Sequence, residues 1–236
     1  MKALLFAAGL GTRLKPFTDH HPKALAVVNG KTLLQRNIEY LKAAGIQDIV
    51  INIHHFGTQI LEYLHQHNNF GCQIEISDET DAVLETGGGL LKAKPFLDQA
   101  EFVVLNVDIL TQMNLRAMID FHHRHQPLVT LAISDRDSSR KLMFDHDMRL
   151  CGWKNFATGE EIITRTQVYK VSAFSGIHIM RKDIFDYIAE QGKFSIMQSY
   201  MRLMHQQTLL GYDHSGAILV DVGKPESIAQ AELSFL

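Results

Sequence analysis

The densest chemistry in the sequence sits near its start. Ala7-Ala8-Gly9-Leu10-Gly11-Thr12-Arg13-Leu14-Lys15-Pro16 holds two glycines and two cations. Glycine lets backbone N–H groups close on a phosphate, and successive amides in such a turn form an anion-binding concavity. Arg13 and Lys15 add charge, and Pro22-Lys23 follows with another cation beside a rigid neighbour. Three readings compete. A dinucleotide site wants a third glycine where Leu14 stands, and an acidic residue about 20 residues on. A P-loop around Gly30-Lys31-Thr32 wants glycine where Leu25 stands, and Asn29-Gly30 reads better as a turn. The third reading is a glycine-rich strand-to-helix turn with solvated charges.

Leu84-Glu85-Thr86-Gly87-Gly88-Gly89 opens a helical stretch. Three glycines there are costly to a helix, which points to a close approach by backbone or ligand, or to a plain turn. Asp108 follows the apolar run Phe102–Leu105 through Asn106-Val107, and Asp221 stands in Leu219-Val220-Asp221-Val222-Gly223. Ligands of open α/β sheets bind beyond the carboxyl ends of strands. A hard carboxylate there suits Mg²⁺ bridging phosphate oxygens, and each aspartate alone also reads as a strand-end cap.

The elements that must position these residues alternate. Leu4–Ala8, Ile49–Ile53, Cys72–Ile76, Phe102–Leu105 and Leu128–Ile133 read as strands. Thr32–Ala44 (closed by Gly45), Gly57–His65, Leu90–Leu97 up to Pro95, and Leu115–His123 read as helices. The alternation predicts an α/β fold, a Rossmann-like, mostly parallel sheet with helices on both faces. After about Asp135 short strands with turns dominate through Met180, then a strand at Ala217–Val222 and a helix at Pro225–Leu233. We read 1–236 as a single domain of two halves, 1–134 and 135–236.

Bulk properties narrow the class. A net charge of −3 offers no basic footprint for nucleic acid. No apolar run is long enough for a membrane span, and the short Met1–Ala8 run lacks the form of a signal peptide. The expectation is therefore a soluble, cytoplasmic protein, alone or as a homodimer. Cys72 and Cys151 form no metal or disulfide framework. Of the thirteen histidines, the cluster His122, His123 and His125 lacks the partners of a zinc site, so solvated histidines are expected. Met197, Met201 and Met204 keep helical spacing and read as core.

The run Ala7 to Leu14, with Pro16, Thr18, Pro22-Lys23 and Leu25, resembles the opening motif of the sugar-phosphate nucleotidyltransferase family. Ala24 stands where many members have proline. Asn106-Val107-Asp108, Phe174-Ser175-Gly176-Ile177 and Asp221-Val222-Gly223 extend the resemblance over most of the chain, although many members have glycine just before the first of these aspartates. The fit is to the short branch without a β-helix extension. That branch includes N-acetylmuramate 1-phosphate uridylyltransferases and mannose- or heptose-1-phosphate guanylyltransferases.

The resemblance implies a GT-A-like fold, with 1–134 a nucleotide-binding half and 135–236 a sugar-binding and closing half, and the reaction of a nucleoside triphosphate with a sugar 1-phosphate to give a nucleotide sugar and pyrophosphate. It implies Mg²⁺ on Asp108 and Asp221, and catalytic roles for Arg13, Lys23 and Asp108. Nucleotide contacts would fall to Ala8, Gly9, Gly11, Thr12, Arg13, Lys23, Glu85, Thr86, Gly87 and Asn106, with Asp78 or Glu79 as helpers. Sugar contacts would fall to Lys141, Met143, Asn155 and Ser175. The Glu85-Thr86-Gly87-Gly88-Gly89 form favours UTP with N-acetylmuramate 1-phosphate. GTP with mannose or heptose 1-phosphate is the alternative. A non-catalytic nucleotide-sugar-binding subunit is a third reading, which the presence of Arg13, Lys23, Asp108 and Asp221 disfavours.

Overall fold

The computed structural model describes residues 1–164 and 167–235. The strands are β1 (Lys2–Phe6), β2 (Val27–Val28), β3 (Lys31–Thr32), β4 (Asp48–Ile53), β5 (Gln73–Asp78), β6 (Glu101–Asn106), β7 (Ile109–Thr111) and β8 (Val129–Ser134). They continue with β9 (Arg140–Phe144), β10 (Leu150–Asn155), β11 (Glu161–Ile163), β12 (Lys170–Arg181), β13 (Leu209–Asp213) and β14 (Leu219–Asp221). The helices are α1 (Leu33–Ala43), α2 (Gly57–Gln66), α3 (Glu85–Ala93), α4 (Leu115–His125), α5 (Ile184–Tyr187), α6 (Ile196–Leu203) and α7 (Pro225–Ser234).

The apolar runs of β1, β4 and β6 become the buried centre of one sheet because helices cover both faces. β5, β4, β1 and β6 pair in parallel in that order. Alternation along β1 sends Ala3 and Leu5 to one core and Leu4 to the other. The first core takes the apolar faces of α1, α2 and α4, and the second those of α3 and α6. Local signals set the helix ends. Thr32 Oγ1 accepts from Gln35 N at 3.0 Å to start α1, and Gly45 (φ +89°) ends it. Asn29 (φ +46°) and Gly30 (φ +77°) turn the β2–β3 hairpin, as expected of that pair.

Parallel pairing stops at β6. β12 joins it antiparallel, with Ile177 opposite Leu105, and carries the sheet into the second half. β8 pairs antiparallel with β12 and parallel with β13, while β9, β10 and β11 extend the other end of β12 as an antiparallel wing. β12 spans both regions by changing register between Phe174 and His178. Gly176 (φ +75°) lies within that change, where a Cβ would stand 2.8 Å from Ile109 Cγ1.

Three expectations change. The glycine triplet lies inside α3, which begins at Glu85 and ends at Ala93, before Pro95. The last strand is shorter, Leu219–Asp221. His122 is buried, not solvated: its Nδ1 meets Thr130 Oγ1 at 2.7 Å, and burial pulls its pKa down to about 4. His178 is likewise enclosed against Tyr200 Oη at 2.7 Å and pulled down to about 3. Met204 is buried and Met197 and Met201 pack against the second core, as their spacing predicts. Among the described residues no helix is long and apolar enough to cross a membrane.

Candidate active site

β1 delivers the glycine turn to the carboxyl edge of the sheet. Ala7 N and Ala8 N both donate to Asn52 Oδ1, at 2.6 and 3.1 Å, so the end of β4 fixes where the turn begins. The two glycines differ in purpose. Gly11 (φ +62°) is required by the protein, because a Cβ would lie 2.8 Å from Thr18 Cγ2 and 3.0 Å from Lys23 Cβ. Thr18 Oγ1 donates to Gly11 O at 2.9 Å and locks the turn. Gly9 has no atom within 4 Å of where its Cβ would be, so nothing in the fold excludes a side chain. It borders a cleft of about 270 Å³, where a ligand would come closest to the backbone.

Lys23, 8% exposed, follows Pro22, and its Nζ forms an ion pair with Asp108 Oδ2. Asp108 is set just past β6. The β7–β14 ladder pairs Ile109 with Asp221, and Val222 N donates to Asp108 O at 2.8 Å. Two carboxylates from distant parts of the chain are thereby held together. Gly223 admits Arg13 beside them, since a Cβ would stand 2.8 Å from Asp221 Oδ1 and 2.9 Å from Arg13 Nη2. Burial, then Asp108, push the Asp221 carboxyl above its usual range, against the pull of Lys23, Arg13 and Arg136.

Asp221 Oδ1 is buried with no hydrogen-bond partner. An orphaned carboxylate oxygen beside a second carboxylate fits a divalent cation. Among the described residues no group of three or more His, Cys, Asp or Glu is placed to hold a metal. Two carboxylates alone suit Mg²⁺, which is commonly held by one or two of them plus substrate phosphates.

Phe6, Glu79, Val83, Glu85 and Thr86 line the other side of the cleft. Glu79, 1% exposed, accepts from Asn52 Nδ2 at 2.7 Å, and burial raises its pKa. Asn52 therefore joins the glycine turn to the Glu79 side of the cleft. The sequence carries no signal for this role; only the parallel register of β1 against β4 creates it. Glu85 is exposed with φ +58°, a conformation few side chains adopt, at the mouth of the cleft.

Of the residues expected to hold nucleotide, Ala8, Gly9, Gly11, Thr12, Arg13, Lys23, Glu85, Thr86 and Asn106 line this cleft together with Asp108. Gly87 does not. A Cβ at Gly87 would overlap the Phe194 ring, one at Gly88 would overlap Gly192 O, and one at Gly89 would stand 2.7 Å from Glu79 Oε1. The triplet serves packing: it lets α3 close on the segment leading into α6, where Gly87 N donates to Phe194 O at 2.9 Å and Ile196 N to Thr86 Oγ1 at 3.1 Å. Gly87→Ala is accordingly expected to cost about 1–3 kcal/mol by overpacking, read as a melting temperature lower by roughly 2–4 °C per kcal/mol. An unchanged melting temperature would show that Phe194 yields freely.

Arg13 and Gly223 also border a second, wider cleft of about 720 Å³, lined further by Arg136, Arg140, Lys141, Trp153, Phe174 and Asp221. Among the expected sugar contacts only Lys141 lies there. Met143 is buried in β9 opposite Gly152. Asn155 Oδ1 caps a turn by accepting from Ala157 N at 3.0 Å. Ser175 is enclosed, its Oγ 2.8 Å from His214 Nε2 and 3.3 Å from Ser134 Oγ. Arg136, which the sequence did not single out, enters the cleft with Nη2 donating to Phe174 O at 2.9 Å.

Residues 2–142 match the family described as Nucleotidyl transferase. The chain is 32% identical to an N-acetylmuramate alpha-1-phosphate uridylyltransferase of Neisseria meningitidis, over 98% of this chain and 97% of that one. It is 29% identical to a mannose-1-phosphate guanyltransferase of Kluyveromyces lactis, of which it spans only 65%. The fold is that of HddC from Yersinia pseudotuberculosis in complex with GMP-PN, with a TM-score of 0.80 at 22% identity, over 100% of this chain and 99% of that one.

Proposed function

From the premise that the chain belongs to the nucleotidyl transferase family and is a sugar-1-phosphate nucleotidyltransferase, we propose that its substrates are UTP and N-acetylmuramate 1-phosphate. Two features support this choice. The Neisseria relative matches nearly end to end, whereas the chain spans 65% of the Kluyveromyces one. The chain also has the Glu85-Thr86-Gly87-Gly88-Gly89 form, of which Glu85 and Thr86 line the cleft. GTP with mannose 1-phosphate is the second reading, kept because that relative covers all of this chain at 29% identity. Heptose 1-phosphate with GTP stays in the test for completeness.

The observation that carries the chemistry is the meeting of Arg13, Lys23, Asp108 and Asp221 where the two clefts join. The nucleotide would occupy the cleft of the first half and the sugar phosphate that of the second, bringing the two phosphates together at Lys23. A phosphate monoester has a second pKa of about 6, so it attacks the α-phosphorus already ionised and needs no general base. The protein's work is positioning and charge neutralisation. Lys23 draws the attacking and attacked phosphates together and offsets charge at the α-phosphorus. Arg13 holds the leaving pyrophosphate, and the turn at Gly9 supplies backbone donors. Asp108 and Asp221 would hold Mg²⁺, which neutralises phosphate oxygens when bound.

Pyrophosphate release tests this directly, with Mg²⁺ and each of UTP, GTP, CTP, ATP and dTTP against the 1-phosphates of N-acetylmuramate, mannose and heptose. The expected result is release with UTP and N-acetylmuramate 1-phosphate above every other pair. Preferred release with GTP and mannose or heptose 1-phosphate would replace that substrate assignment with the second reading.

A further inference from the structure

The second cleft carries more positive charge than a sugar 1-phosphate calls for. Arg13, Arg136, Arg140, Lys141 and Lys224 line it, against Asp137 and Asp221. Arg13 stands against Gly223 beside Asp221, Lys224 follows Gly223 in the chain, and Arg136 acts on Asp221. Arg140 is different. Alternation along β9 puts it on the face of Leu142, whose cross-strand partner is Trp153, and all three line the cleft. Lys141 also lines the cleft, but alternation sets it on the other face of β9, across from Lys154, which is paired with Glu161 at 2.8 Å.

The Arg140 backbone is held on both sides. Ser138 Oγ donates to Arg140 O at 2.9 Å and accepts from Arg140 N at 3.3 Å. The neighbouring Ser139 O accepts from Phe156 N at 2.7 Å. The guanidinium itself has no carboxylate or carbonyl partner among the described residues. An exposed, uncommitted planar fork on an anchored backbone, at the rim of a cleft also lined by Leu142, Trp153 and Phe174, suits a planar anion.

We propose that Arg140 is the specificity residue of the second cleft and receives the carboxylate that an N-acetylmuramate carries in addition to its 1-phosphate. The inference rests on the sugar-phosphate reading above and sharpens it: N-acetylmuramate differs from N-acetylglucosamine by a lactyl ether that ends in a carboxylate.

The test compares kcat/KM for those two 1-phosphates with UTP, in the wild type, Arg140→Gln and Arg140→Lys. The wild type should prefer the carboxylate sugar by about tenfold or more. Arg140→Gln should bring that ratio close to one through KM, a loss of at most the roughly 10- to 100-fold worth of a charged bidentate contact. Arg140→Lys should restore part of it, because it keeps the charge and loses the fork. Equal use of both sugars by the wild type would overturn the carboxylate requirement while leaving uridylyl transfer standing. A preference that survives Arg140→Gln would overturn the role of Arg140 alone. Use of neither sugar with UTP, alongside use of mannose 1-phosphate with GTP, would overturn the substrate assignment and this inference together.

Discussion

Lys23→Met is expected to lower kcat by about 10²–10³-fold with the fold intact, the usual loss when one positioned charge is removed from a developing transition state. The stem of Lys23 is packed, its side chain only 10% exposed. Methionine fills a similar volume, so the substitution isolates the ammonium. Lys23 is assigned to both reacting phosphates, whose charges crowd most at the transition state. The loss should therefore appear in kcat more than in KM. Asp108 also loses its ion-pair partner. Its side chain is 21% exposed, so water replaces part of the lost interaction, and the stability cost should stay below about 3 kcal/mol. A second readout separates catalysis from structure. In the free protein Lys23 occupies Asp108 Oδ2, so Lys23→Met without nucleotide should bind Mn²⁺ more tightly than the wild type. Wild-type kcat in the variant would remove Lys23 from the mechanism.

The parts of this site that the sequence displays are those whose chemistry is local. The Gly9–Gly11 turn and the aspartate past β6 each follow an apolar strand within a few residues, and Lys23 is marked by the proline beside it, so period and composition locate them. What escapes notice is created by pairing. Asn52 becomes the anchor of the glycine turn only because β4 lies parallel to β1. Arg136 and Arg140 face the cleft only because of the register of β9 against β10 and the bend in β12 at Gly176. The same cause explains why three of the expected sugar contacts fall outside the lining of the second cleft. Met143, Asn155 and Ser175 have types and positions that suit a ligand, but a one-residue change of phase along a strand decides between cleft and core. Gly87 shows the converse: a conspicuous glycine run answers to Phe194 and Gly192, more than a hundred positions away in the chain.

Asp221→Asn should move activity and stability in opposite directions. Asp221 has a buried oxygen without a partner and a carboxylate neighbour in Asp108, and both disfavour its ionised form in the folded state. Its pKa is raised on folding, so the penalty is present above the raised value and disappears as pH falls below the ordinary carboxylate value near 4. Asparagine removes the charge with little change of shape. At neutral pH the variant should melt higher than the wild type, and the gap should close toward pH 4. Turnover should fall by about 10²–10³-fold, because the charge that strains the fold is the one assigned to hold Mg²⁺ against the phosphates. Charges retained at a cost to stability mark groups kept for function. A melting temperature that drops in the variant at pH 7 would instead make Asp221 a structural partner of Arg13, Lys23 and Arg136, with their attraction outweighing burial and Asp108. Unchanged turnover would leave Asp108 as the sole carboxylate for the cation.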